Sequence, residues 1–121
     1  MNGEKARELM KEWANRLKVS DWKIALSDKC KPIEMSADGT YGCSVITEVL
    51  KAARIEIVDE TMIPEYIEPF DWEQVLVHEL LHLKLALLFE NENRETTHDR
   101  LLHQMLNDLS VALVDAKRKK K

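Results

Sequence analysis

The sequence predicts a single α+β domain: a helix, a small and mostly antiparallel sheet of two or three strands, then two long helices. Three observations predict it. Apolar residues recur at three- and four-residue steps near both ends of the chain and at two-residue steps in between. Turn-forming residues, among them Pro32, Asp38-Gly39, Pro64 and Pro69, separate those stretches. The length, 121 residues, suits one core and leaves no room for a second full-sized domain, so the domain is expected to span 1–121.

Each element has its own justification. Residues 3–18 place Ala6, Leu9, Met10, Trp13 and Leu17 on one helical stripe, with Glu4, Lys5, Glu8, Lys11 and Glu12 round the rest. Residues 21–27 (DWKIALS) alternate as a strand with Trp22 and Ile24 inward, and residues 40–49 (TYGCSVITEV) form the second. Residues 53–59 (ARIEIVD) form the third. There Ile55 and Ile57 alternate with Arg54 and Glu56, so one face is expected to be solvated at least in part and the strand to be antiparallel or at an edge.

Asp71 is placed to cap the next helix, its carboxylate accepting from first-turn amides, with Gln74 completing a capping box. That helix is expected over 72–89, until the polar run 90–96 (ENENRET) breaks it. Thr96 or Thr97 then starts a last helix that ends near Lys117, with Leu102, Met105, Leu106, Leu109, Ala112 and Leu113 as its apolar stripe. The five bases that close the chain read as a solvated tail at the negative end of the helix dipole.

Charge narrows the function. The chain carries 18 bases and 22 acids, and with the five terminal bases set aside the body holds 13 bases against the same 22 acids. Such a body repels nucleic acid and anionic membrane, so neither is an expected partner. The longest apolar-rich stretch, residues 80–89, contains His82 and Lys84 and is far short of the roughly 20 residues a membrane span needs. Two cysteines, Cys30 and Cys43, are too few for a disulfide scaffold and fit no metal-ligand spacing. They read as reduced thiols, and the compartment as cytoplasmic.

The histidines are the unusual feature. All four, His78, His82, His98 and His103, fall within 26 residues. His78-Glu79-Leu80-Leu81-His82 is an HExxH sequence inside a capped, apolar helix. Positions four apart lie one turn above another on the same face, so both imidazoles can address one metal ion. Glu79 sits about 100° round the helix, near enough to reach a water on that metal as a general base without ligating it. As plain core residues the two histidines are expensive, because each ring nitrogen needs its own partner.

A catalytic zinc needs a third protein ligand and an open position. The candidates downstream are Glu90, Glu92, Glu95, His98, Asp99 and His103. The loop glutamates lie at or beyond the helix end, where fixing a ligand costs more chain entropy. Helical phase sets His98 nearly on the axis of the apolar stripe and His103 roughly 120° from it, beside Asp99 and Ser110. Depth favours His103, which lies more than a turn farther into the helix. Spacing alone leaves the two open.

Over residues 22–26 (WKIAL), 53–57 (ARIEI), 70–84 (FDWEQVLVHELLHLK) and 99–109 (DRLLHQMLNDL), the chain resembles a family of small single-domain bacterial and phage metallopeptidases, minimal zincins of gluzincin-like type. The resemblance implies a zincin-like fold, Zn2+ as cofactor and a peptide or protein substrate. It implies Glu79 as base, with His103 as third ligand beside His78 and His82, where gluzincins carry a glutamate. Asn107 stands where those enzymes commonly have an orienting aspartate, and Asp108 is next to it. Tyr41, Tyr66 and His98 are candidates for stabilising an oxyanion, and residues 53–59 for pairing with an extended substrate. The competing expectation is a zinc-stabilised binding module without catalysis, since so short a chain leaves little sequence for substrate pockets.

Overall fold

The computed structural model describes residues 2–31, 41–62, 70–86 and 97–119, without the side chains of residues 97–100. Helix α1 (Gly3–Arg16) is followed by strands β1 (Lys23–Cys30), β2 (Gly42–Thr47) and β3 (Ala52–Val58), then helices α2 (Trp72–Lys84) and α3 (Thr97–Lys119). The α+β class and the order of elements are as the sequence predicts. No helix among the described residues is long and apolar enough to cross a membrane.

Local signals account for the helix starts. Asn2 Oδ1 accepts from the Lys5 N–H at 2.8 Å to open α1, and Asp71 Oδ1 accepts from the Gln74 N–H at 3.2 Å to open α2. Each carboxamide or carboxylate satisfies an amide that the helix itself cannot. After α1 the chain turns through Lys18 in the left-handed region (φ 61°), which brings Val19 back into the core.

The sheet departs from expectation. Its order is β1-β3-β2, so β3 is the central strand, parallel to β1 and antiparallel to β2. The sheet is therefore mixed, not mostly antiparallel, and β3 is no edge. The misleading signal was the charged pair Arg54 and Glu56. The face they mark is wetted only in part: Arg54 is exposed, but Glu56 is 5% exposed and its Oε2 lies 3.2 Å from Arg54 Nε. A buried carboxylate with a charged partner on the same strand face mimics solvated alternation.

The edges among the described residues are β1 and β2, and pairing parity fixes what β2 presents. The Val58 N–H donates to the Tyr41 carbonyl at 2.9 Å. With Cys43 opposite Glu56 and Val45 opposite Arg54, those two residues bond inward to β3. Gly42, Ser44 and Ile46 turn their N–H and C=O groups to the outer side of the sheet.

One face of the sheet, Ala53, Ile55 and Ile57 with Ile24, Leu26 and Ile46, carries the helices. Helix α2 packs on α1, on α3 and on strands β2 and β3. That position explains its composition: Trp72, Leu76, Val77, Leu80, Leu81 and Leu83 are buried on several sides, as befits a helix apolar nearly all round. A helix held on several sides is a rigid mount for side chains.

Helix α3 presents a different face from the expected one. Leu102, Leu106, Ser110 and Val114 are buried, whereas Met105 is 48% and Leu109 43% exposed. The inward face is rotated by roughly 70° from the apolar stripe. Two polar residues hid it. Ser110 satisfies its hydroxyl on the Asn107 carbonyl at 2.7 Å, and Lys117 is part-buried in an ion pair. Lys117 and Arg118 are consequently not part of a solvated tail. Arg118 grips Asp71 through two nitrogens at 2.7 and 3.1 Å, and Lys117 Nζ lies 2.6 Å from Glu73 Oε2.

Candidate metal centre

His78 and His82 rise from one face of α2, and His103 reaches them from α3. Ring centroids are 5.1 Å apart for His78 and His82, 5.0 Å for His82 and His103, and 5.9 Å for His78 and His103. One nitrogen from each ring can be chosen so that all three lie within 4.8 Å of one another. Metal–nitrogen bonds of about 2.0–2.1 Å in a tetrahedron set ligand nitrogens roughly 3.4 Å apart, so these three residues could hold a metal ion once the rings move closer together.

The electrostatics favour the same occupant. Burial, and then the nearby His103, push the His78 pKa down to about 4. At neutral pH that imidazole is uncharged and keeps a lone pair for a metal. His78 and His82 are half-buried and His103 is exposed, so the cluster opens to solvent on one side. Among the described residues the cluster thus offers three ligands, where a closed structural zinc site has four.

Glu79 lies outside the cluster. Its side chain is 5% exposed and faces β2, where Ser44 Oγ donates to Oε1 at 2.7 Å and also lies 3.2 Å from the Glu79 carbonyl. A Cβ on Gly42 would meet Glu79 Oε2 at 3.0 Å and Val75 Cγ1 at 2.6 Å. The missing side chain thus lets β2 approach α2. Gly42→Ala should force these elements apart and destabilise the chain by about 1–3 kcal/mol, measured by urea unfolding. An unchanged midpoint would show that the contact is soft.

The remaining candidates fare differently. The backbone of His98 lies in the first turn of α3, but its side chain, like that of Asp99, is outside the described residues. Glu90, Glu92, Glu95 and Tyr66 are likewise outside them. Asn107 and Asp108 are exposed, and Ser110 Oγ donates to the Asn107 carbonyl. Tyr41 stands edge-on to Phe70 with centroids 5.4 Å apart at the start of β2.

Sequence reasoning missed Ser44 and Gly42. Their spacing puts both on one strand face, but nothing in the sequence tells that this face meets α2. It also missed the clamp that sets the register of α3. Glu73, 8% exposed, accepts from Trp13 Nε1 and Lys117 Nζ, each at 2.6 Å, and from Arg118 Nη2 at 3.2 Å. Compared with known protein families, with curated proteins and with solved structures, the chain matches none.

Proposed function

We propose that the chain is a zinc-dependent peptidase, with His78, His82 and His103 as ligands and Glu79 as general base. The observation that carries this reading is the convergence of three imidazoles from two helices, with a buried glutamate next in sequence to His78 on α2. A bound zinc ion supplies Lewis acidity, polarising a peptide carbonyl and lowering the pKa of water. The chain's own groups do the rest. Glu79 takes the proton of the attacking water on its carboxylate and returns it to the leaving amine. The outward N–H and C=O groups of Gly42, Ser44 and Ile46 are suited to pair with an extended substrate. Strand β3 cannot do so, because both its sides are taken. Strand β2 therefore replaces residues 53–59 in that role, and it lies against Glu79.

A peptide-library cleavage assay tests the reading. Glu79→Gln should retain zinc and lose cleavage by about 10²-fold or more. Hydrolysis that survives loss of the metal sinks the mechanism. Equal turnover in wild type and Glu79→Gln, with a sharp fall in melting temperature on metal removal, points instead to a zinc-stabilised binding module.

A further inference from the structure

We infer that Ser44 is the positioning residue for Glu79, so that the strand offered to substrate also aims the base. The inference rests on the peptidase reading. A glutamate's terminal torsion is broad, and a carboxylate next to a metal can swing between ligating it and standing off. Here the swing is limited from β2. Ser44 Oγ holds Oε1 at 2.7 Å, a charge-assisted length, while Oε2 lies over the bare backbone of Gly42.

Ser44 has two aspects. Its side chain points across to α2, and its backbone N–H and C=O face the open edge of the sheet. A substrate strand pairing there would bond to the same residue whose hydroxyl holds the carboxylate. The base is then aligned to the sheet edge, and through it to the peptide, by one residue. Gly-x-Ser at 42–44 is the sequence form of the device: no side chain beside one carboxylate oxygen, a hydroxyl on the other.

Two measurements test it. The first needs no metal. A double-mutant cycle of Ser44→Ala with Glu79→Leu, followed by urea unfolding of the zinc-free chain, should show a coupling of about tenfold in the unfolding constant. Coupling within experimental error of zero overturns the proposal.

The second titrates the zinc-loaded chain with acetohydroxamate, a small zinc chelator that shares a proton with a neighbouring carboxylate. Ser44→Val and Ser44→Thr have the same shape and differ by the hydroxyl, which guards against a misfolded alanine variant. Thr should bind the probe within about twofold of wild type, and Val about three- to tenfold more weakly, with zinc affinity unchanged in both. Equal binding by Thr and Val overturns the proposal. If Glu79→Gln binds the probe as wild type does while the zinc-free coupling persists, the peptidase reading fails and the Ser44–Glu79 link stands.

Discussion

His103→Ala should cost the chain its tight zinc binding, while His98→Ala should leave it intact. On the proposed reading the two histidines on α2 would supply two of the metal's ligands, and two ligands alone would bind it weakly. His103 closes the set from α3, its ring 5.0 Å from that of His82 and 5.9 Å from that of His78. Removing it should lower zinc affinity on the order of 10³-fold, measured by competition with a chelator and by metal content after gel filtration. Wild type should carry one zinc per chain through that step and His103→Ala close to none. The opposite pattern, metal lost in His98→Ala and kept in His103→Ala, would show that the ligand set is wrong. A thermal readout follows from the same affinity, because a ligand that binds only the folded chain raises its melting temperature as ligand concentration rises above Kd. That rise should be large in wild type and His98→Ala and nearly absent in His103→Ala.

The parts of this site differ in how legible they are in the sequence, for physical reasons. The four-residue spacing of His78 and His82 is a local property of a helix, and Asp71 with Gln74 announces that helix, so both were readable. The face of α3 was not. Its apolar stripe favours the phase of His98, while the inward line among the described side chains runs through buried Ser110 and part-buried Lys117, residues that hydropathy assigns to water. Each is satisfied by one specific partner, and a partner contributed by another helix leaves no local trace. The same holds for Glu56 in β3, whose burial beside Arg54 made a central strand look like an edge. Gly42 and Ser44 gain their meaning only once β2 is known to lie against α2. Short-range periodicity fixes elements, while the choice of which polar residues are buried belongs to tertiary packing.

Glu73→Gln should destabilise the fold by about 3 kcal/mol at neutral pH, the low end of the range for breaking a buried ion pair. Both partners are nearly out of water, with side-chain exposures of 11% for Lys117 and 10% for Glu73. The glutamine can still accept from Trp13 Nε1, and Lys117 keeps Glu12 at 3.2 Å, which moderates the loss. Glu73→Gln with Lys117→Met removes the stranded charge and should recover much of the stability, a result that separates charge burial from general damage to packing.

Acid titration gives an independent check. Burial would raise the Glu73 pKa, but hydrogen bonds from Lys117 and Trp13, the Lys117 charge and the Arg118 bond outweigh it and hold the carboxyl below its ordinary value. At Asp71 burial is likewise outweighed, by Arg118 and the Gln74 N–H. A carboxyl with a depressed folded pKa contributes stability that is complete above its unfolded value and is lost as pH falls through the folded one. Wild-type stability should thus decline in two stages as pH falls, first below about pH 6.5, because the unfolded chain protonates His78 while the folded chain holds it down to about 4, and then below about pH 4.5 as the carboxyls protonate; Glu73→Gln should show a shallower second stage. A change under about 0.5 kcal/mol at neutral pH would reduce the clamp to a surface ion pair. Position along the helix makes the clamp matter for the metal as well. It grips α3 at Lys117 and Arg118, about 21 Å along the helix from His103, and holds the register in which His103 reaches His78 and His82. If zinc binds as proposed, it and the clamp would fix the same register from opposite ends, so saturating zinc should restore part of the melting temperature that Glu73→Gln loses.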